Sequence, residues 1–194
     1  VQITATDRVC FVIGHDYTER IGMRSGTIRH RYNGSCLTDT SGRVFRVEDQ
    51  SVSRLKLDGS VAWSSKLEVN SLHQGLFSTR HHIAIPDLDA IRCLDADDGH
   101  LVWSVPGDFN ITGRQKDNLV VTTNTEDFEL LTVRIQTGET RRIRRCSHHL
   151  VARWWREPYG VYLLAPRDQH EATQLLYFDS QNGTSQTYTL PPCR

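Results

Sequence analysis

The stretch that decides the fold is His81-His82-Ile83-Ala84-Ile85-Pro86-Asp87-Leu88-Asp89-Ala90-Ile91-Arg92-Cys93-Leu94-Asp95-Ala96-Asp97-Asp98-Gly99-His100-Leu101-Val102-Trp103-Ser104-Val105-Pro106. One apolar run ends at Ile85, a second covers Ala90 to Leu94, and a third carries Trp103. Short apolar runs separated by Asp and Gly clusters read as strands joined by tight turns. Gly99 stands where a short hairpin loop ends in a left-handed residue, a conformation that a Cβ makes costly. Asp95 opens that turn, where a carboxylate accepts hydrogen bonds from the amides just ahead. The runs are continuous, not alternating, as expected of strands covered on both faces.

The same plan recurs along the chain. Upstream, Arg43 to Val47 precedes Arg54-Leu55-Lys56-Leu57-Asp58-Gly59, and Trp63 follows Gly59 by the same interval as Trp103 follows Gly99. At the start, Val9 to Ile13 precedes Ile21 to Gly26. Downstream, Leu119 to Val121 precedes Leu131 to Gly138, and Gly160 to Leu164 precedes Leu176 to Gly183. The turn glycines Gly26, Gly59, Gly99, Gly138 and Gly183 are spaced by 33, 40, 39 and 45 residues. Repeats of about 40–50 residues with four strands each are propeller blades, and length variation falls in the loops. Asp58 and Asp179 open turns as Asp95 does. Weaker segments, Leu72 to Thr79, Phe109 to Gly113 and Leu150 to Trp155, are expected to be fourth, outer strands following the third strand of each unit.

The predicted fold is therefore all-β, a β-propeller of about five four-stranded blades forming a single domain over residues 1–194. On this plan the last unit lacks its fourth strand. Gln2-Ile3-Thr4 resembles Asn110-Ile111-Thr112, so the N-terminal segment is expected to complete the last blade and close the ring, which hides sheet edges. A piece cut from a seven- or eight-bladed ring is the alternative.

Composition narrows the function classes. The 194 residues are 38% hydrophobic and 24% charged, a globular balance, and no apolar run approaches the roughly 20 residues of a membrane-spanning helix. Lys plus Arg and Asp plus Glu are 23 each, so net charge gives no pull toward nucleic acid or an anionic membrane. The chain begins at Val1 without a signal-peptide pattern and is expected to be a processed product or a fragment. The five cysteines, Cys10, Cys36, Cys93, Cys146 and Cys193, are odd in number and far apart. Cys10 and Cys93 lie in apolar runs, which fits buried reduced thiols and a cytoplasmic setting. Asn-x-Ser/Thr triplets at Asn33, Asn110 and Asn182 leave secretion open.

The string Leu94-Asp95-Ala96-Asp97-Asp98-Gly99-His100-Leu101-Val102-Trp103 resembles the pyrroloquinoline-quinone enzyme repeat of quinoprotein-type propellers. Ser64 after Trp63 and Ser104 after Trp103 extend the likeness, which is good over Arg43 to Leu67 and His81 to Pro106. In the other three units the tryptophan position holds His30, Arg142 and Thr187. The resemblance implies a propeller fold with tryptophan contacts between blades. Quinone-binding members carry a vicinal cysteine pair and calcium-binding carboxylates; this chain has no such pair, and many members are scaffolds. The composition is also similar to propeller segments of fungal F-box proteins, which are expected to select ubiquitin-ligase substrates. No F-box lies in this chain.

Several clusters bear on chemistry. Asp87, Asp89, Asp95, Asp97 and Asp98 are the densest acidic group, but the spacing matches no EF-hand, and turn formation already uses Asp95, Asp97 and Asp98. The pairs His81-His82 and His148-His149 are adjacent, so their side chains point to opposite strand faces and chelate a metal poorly. No nucleophile elbow or phosphate loop is present. No catalytic, metal or cofactor residue is therefore assigned, and no cofactor is expected.

The basic run is the best binding candidate. Arg134, Arg141, Arg142, Arg144, Arg145, Arg153 and Arg156 fall close together, with Trp154 and Trp155 before the last. Arginine beside aromatic rings suits phosphate, nucleic-acid or acidic-peptide contact, and the alternative is a solvated outer strand paired with nearby acids. Strict alternation puts Arg141, Ile143 and Arg145 on one face and Arg142 and Arg144 on the other. The expected function is a non-enzymatic interaction module binding a protein or peptide through Arg141, Arg142, Arg144, Arg145, Arg153, Trp154, Trp155 and Arg156. The alternatives are a propeller enzyme, quinone-dependent or glycosidase-like, with its site at the channel mouth, and a partial propeller that self-assembles to complete a ring.

Overall fold

The computed structural model describes residues 2–5, 9–14, 17–33, 36–39, 41–48, 50–67, 77–123, 127–156, 158–166, 169, 171–174 and 175–191, of which 2–4, 155 and 156 are described by backbone alone. All the regular elements among them are strands, and they form five four-stranded sheets. The first sheet holds β1 (Gln2–Ala5), β2 (Val9–Ile13), β3 (Tyr17–Gly22) and β4 (Ile28–Asn33). The second holds β5 (Cys36–Thr38), β6 (Val44–Glu48), β7 (Ser51–Leu55) and β8 (Val61–Lys66). The third holds β9 (Phe77–Ser78), β10 (His82–Pro86), β11 (Ala90–Asp95) and β12 (Leu101–Pro106). The fourth holds β13 (Phe109–Gln115), β14 (Asn118–Thr123), β15 (Phe128–Arg134) and β16 (Thr140–Cys146). The fifth holds β17 (His148–Arg156), β18 (Tyr159–Pro166), β19 (Gln174–Asp179) and β20 (Thr184–Thr189). In each sheet the strands lie side by side in chain order. This is the repeated antiparallel meander of a β-propeller.

The repeat plan holds with one shift of phase. Phe109–Gln115 pairs with β14, and His148–Arg156 pairs with β18, so each weak segment opens the sheet that follows it. The strand carrying the tryptophan, β8 or β12, is the last of its sheet. Phe77–Ser78 likewise pairs with β10, while 72–76 of that predicted segment lie outside the described residues. The fifth sheet thus has four strands of its own, β17 to β20. The N-terminal strand is correspondingly not its missing partner: Gln2–Ala5 pairs with β2, with Ile3 opposite Val12 and Ala5 opposite Cys10. The expected closure by the N-terminal segment is overturned by this pairing. The hairpin step that links consecutive strands costs little loop entropy, so a short strand joins its immediate neighbour.

The five turn glycines Gly26, Gly59, Gly99, Gly138 and Gly183 all have φ between +63° and +83°. Asp95 accepts from the Asp97 amide at 2.7 Å and the Asp98 amide at 3.3 Å. Asp58 accepts from the Ser60 amide at 2.9 Å, and Asp179 from the Gln181 amide at 2.9 Å. The aspartates predicted to shape turns do so.

The described chain divides into two compact units, residues 1–88 with 92–104, and residues 89–91 with 105–194. In the first, Phe45, Val47, Val52, Leu67, Ile83, Ile85, Leu94 and Ala96 form one core between the second and third sheets. Phe11, Ile13, Tyr32, Cys36, Val44 and Leu55 form another between the first and second. In the second unit, Val120, Phe128, Leu130, Tyr162, Leu164, Leu176 and Phe178 pack the fourth sheet on the fifth. Inner strands β10, β11 and β14 are buried on both faces; Leu119, Val120, Val121 and Thr122 on β14 are wholly inaccessible. Full burial of each such aliphatic or aromatic side chain contributes about 1.5–3 kcal/mol. The last strands β16 and β20 are polar and exposed. No helix among the described residues is long and apolar enough to cross a membrane.

Candidate partner-binding surface

Strand β16 is the last of the fourth sheet, and its sequence Thr-Arg-Arg-Ile-Arg-Arg-Cys puts four arginines on an exposed sheet margin. The pairing register with β15 shifts between Leu130 and Leu131, which lie opposite Arg144 and Arg142. One extra residue, Ile143, is thereby accommodated, and a bulge of this kind breaks the alternation of side chains. The faces predicted by strict alternation are therefore corrected. Arg142 and Arg145 both reach Glu129, with Nη2 at 3.3 Å and Nε at 3.4 Å from the same Oε1. Arg145 also donates from Nη2 to Asp127 Oδ2 at 3.0 Å. Arg141 and Arg144 are exposed and have no carboxylate partner among the described residues.

The remaining candidates stand elsewhere. Strand β17 opens the fifth sheet, so Arg153 and Trp154 lie on that sheet's first strand, whereas β16 ends the fourth. Arg153 is exposed opposite Tyr162, and Trp154 is 54% exposed opposite Val161. Trp155 and Arg156 pair through their backbones with Gly160 and Tyr159, and their side chains lie outside the described set. The basic run that is continuous in sequence is thus two groups on two strands, joined by the corner at Ser147.

A feature the arginine count misses lies beside β16. A cavity of about 210 Å³ is lined by Gln115, Asn118, Thr132, Arg134, Glu139, Arg141, Ile143 and Gly183. Its meaning comes from the matching place in the first unit. There Trp63, on the last strand of the second sheet, lies on the turn of the third. A Cβ on Gly99 would meet Trp63 Cε3 at 2.5 Å. Trp63 Nε1 donates to the Ala96 carbonyl at 3.4 Å, and Ser65 Oγ to the Gly99 carbonyl at 2.5 Å. Arg54 Nη1 adds bonds to the Ala96 and Asp97 carbonyls at 3.2 and 3.3 Å. The first and second sheets repeat the device with a smaller ring: a Cβ on Gly59 would meet His30 Nε2 at 2.7 Å. Where the fourth sheet meets the fifth, a Cβ on Gly183 would meet no heavy atom within 4 Å, and the cavity occupies the place of the ring. By count from Gly138 the tryptophan position is Arg142, so the sequence shows that no tryptophan is there; in the structure Arg142 reaches Glu129, and Arg141 and Ile143 line the cavity.

The other candidate groups serve the fold. Asp87 is buried and pairs with Arg92. Asp97 pairs with Arg54 at 3.2 Å. Asp95, Asp98 and His100 bring ligand atoms within 4.8 Å of one another, on a turn their own hydrogen bonds organise. The backbone and side-chain hydrogen bonds from His100 hold the Asp98 carboxyl below the usual range. His82, His148 and His149 are half-buried and His81 is exposed. Burial pushes the Cys93 thiol up to about 12 and raises that of Cys36, so neither is a ready nucleophile. Cys10, Cys36, Cys93 and Cys146 are free thiols; Cys10 is only half-buried. Asn110 lies on β13, and Asn182 lies in a turn where its amide donates to Asp179 at 2.7 Å.

The architecture defines a β-propeller, and solved structures agree. BamB from Moraxella catarrhalis matches with a TM-score of 0.64 and 13% identity, over 97% of this chain and 64% of that one. Hydrazine synthase from Kuenenia stuttgartiensis matches at 0.61 and 13%, over 97% and 65%. The WD40 domain of SCAP from fission yeast matches at 0.61 and 10%, over 99% and 52%. At these identities the likeness shows the fold alone, and the chain spans less than two thirds of each of these structures. No protein-family model matches the chain, and no curated protein matches it in sequence.

Proposed function

We propose that the chain is a non-enzymatic β-propeller interaction module, with 1–194 acting as one propeller domain, that binds a protein or peptide partner through β16. The observation that carries this reading is the exposed arginine strand, on which Arg141 and Arg144 have no carboxylate partner among the described residues. Guanidinium groups left unpaired on a rigid strand keep their donors for an incoming carboxylate. Propeller neighbours with unrelated printed names, a hydrazine synthase among them, mean that the reading rests on the site and not on the fold. Arg153 and Trp154, with Trp155 and Arg156, form a second contact region on β17. Buried free thiols at Cys36 and Cys93 fit a reducing, cytoplasmic setting.

The test is retention of partner proteins from an extract by immobilised wild-type chain and by the double variant Arg141→Glu/Arg144→Glu. Both must show the same far-ultraviolet dichroism. Specific partners that bind wild type at 0.15 M salt and are lost with the double variant are the expected result. An unchanged set of retained proteins sinks the assignment of β16.

A further inference from the structure

We infer that the cavity over Gly183 is an anchor site for a single aromatic side chain of an acidic peptide. This deepens the proposed function and rests on its reading of the chain as a peptide-binding module. The cavity, about 210 Å³, lies below the roughly 300 Å³ at which sites for drug-sized ligands begin. It is the size of one side chain and not of a cofactor.

Its occupant is indicated by the molecule's own repeat. The two matching junctions in the first unit each seat a planar ring on a turn glycine, His30 on Gly59 and Trp63 on Gly99. Gly183, with φ +66°, presents the same left-handed backbone at the end of the same turn. Its floor is therefore of the kind on which this chain already stacks rings. Ile143 supplies an apolar wall and packs at its other side on the core of the second unit. Gln115, Asn118 and Thr132 supply polar groups able to meet an indole N–H or a phenol O–H, as aromatic side chains with a polar handle require.

The flanking charge follows from the rim. Arg134 pairs with Glu139 at 3.4 Å, which leaves Arg141 as the rim's excess positive charge. Arg144 extends that charge along the same strand. An arginine beside a seated ring also gains a cation–π contact. Carboxylates next to the aromatic residue match this rim, and basic neighbours repel it.

The probe is a blocked pentapeptide with a central tryptophan and two glutamates on each side, titrated calorimetrically into the full chain at low salt. Its counterpart has alanine at the centre. We expect the tryptophan peptide to bind at least tenfold more tightly than the alanine peptide. Arg141→Ala weakens that binding about tenfold, and Ile143→Trp, which fills the cavity from within, removes the tryptophan preference. Because Ile143→Trp can disturb packing, Thr132→Leu serves as a second variant that alters the cavity lining alone, and it is expected to weaken the tryptophan peptide and leave the alanine peptide unchanged. Equal binding of the two peptides overturns the anchor site while keeping the arginine strand as a docking surface. No binding of either peptide overturns the anchor site too, and the retention experiment then decides separately whether a partner uses β16. A tryptophan preference that survives both lining variants overturns it as well.

Discussion

Two sheet junctions in this molecule are built on one plan and closed in different ways. Between the second and third sheets, a tryptophan ring, a serine and two arginines from one sheet hold the turn and loop of the next. Arg43 donates to the carbonyls of Thr79 at 2.7 Å and Arg80 at 2.9 Å, while its Nε is fixed by buried Asp39 at 2.5 Å. Between the fourth and fifth sheets the buried core continues, with Phe128 on Tyr162 at 5.4 Å between ring centroids and Thr112 bonded to Tyr162 Oη at 3.2 Å. Burial pushes the Tyr162 hydroxyl up to about 12, so this bond persists as a neutral one across the physiological range. The margin of that second junction is a polar cavity rimmed by arginine in place of a ring. One junction is thus closed by a ring, and the other's margin is left open.

Removing Asp39 is expected to have the largest effect. Its carboxylate is inaccessible and accepts from the amides of Ser41 and Arg43 as well as from the Arg43 side chain. Asp39→Ala takes the buried carboxylate partner from a guanidinium that is 13% exposed. Breaking such a pair from one side destabilises by about 3–5 kcal/mol. Urea denaturation measures it, and a loss under 1 kcal/mol means that Asp39 is not what fixes Arg43 at the junction of the second and third sheets.

The two glycines give the direct comparison. Gly99→Ala places a Cβ in a left-handed residue and drives it into the Trp63 ring, so we expect a loss of about 3 kcal/mol. Gly183→Ala incurs only the backbone term, about 1 kcal/mol, because open space surrounds it. Combining Gly99→Ala with Trp63→Ala must be markedly less than additive if the ring is the cause. Equal losses for the two glycines break the comparison.

How much of this was legible in the sequence depends on the range of the interaction. Turns were legible because they are local: Asp95 and Gly99 determine their own hairpin wherever it sits. Burial of β10, β11 and β14 was legible because a continuous apolar run leaves no face for water. Phase was not. Phe109–Gln115 and Leu150–Trp155 carry no mark that says whether they close one sheet or open the next, and only pairing with β14 and β18 decides it. The faces of β16 failed for a related reason. Nothing in Arg-Arg-Ile-Arg-Arg announces a bulge, yet one extra residue brings Arg142 and Arg145 together on Glu129. The cavity was half legible. Arg142 at the tryptophan position shows that no tryptophan is there, but which side chains line the space depends on four strands and two turns that meet only in the fold.

The smallest effect tests whether the acids behind β16 organise its arginines or merely neighbour them. Glu129 is the shared acceptor of Arg142 and Arg145, whose side chains are each 57% exposed. Pairs this exposed are screened by water and salt, so Glu129→Gln is expected to change stability by no more than about 0.5 kcal/mol. Its effect on binding has the opposite sign. With the carboxylate gone, Arg142 loses its charged partner and joins Arg141 and Arg144 in facing solvent, while Arg145 keeps Asp127 at 3.0 Å. The acidic probe peptide is then expected to bind two- to threefold more tightly to Glu129→Gln than to wild type at low salt, with the difference shrinking as salt rises toward 0.5 M. Weaker binding instead means that Glu129 holds two arginines in the geometry the partner needs, and the strand then works as a fixed array and not as a pool of positive charge.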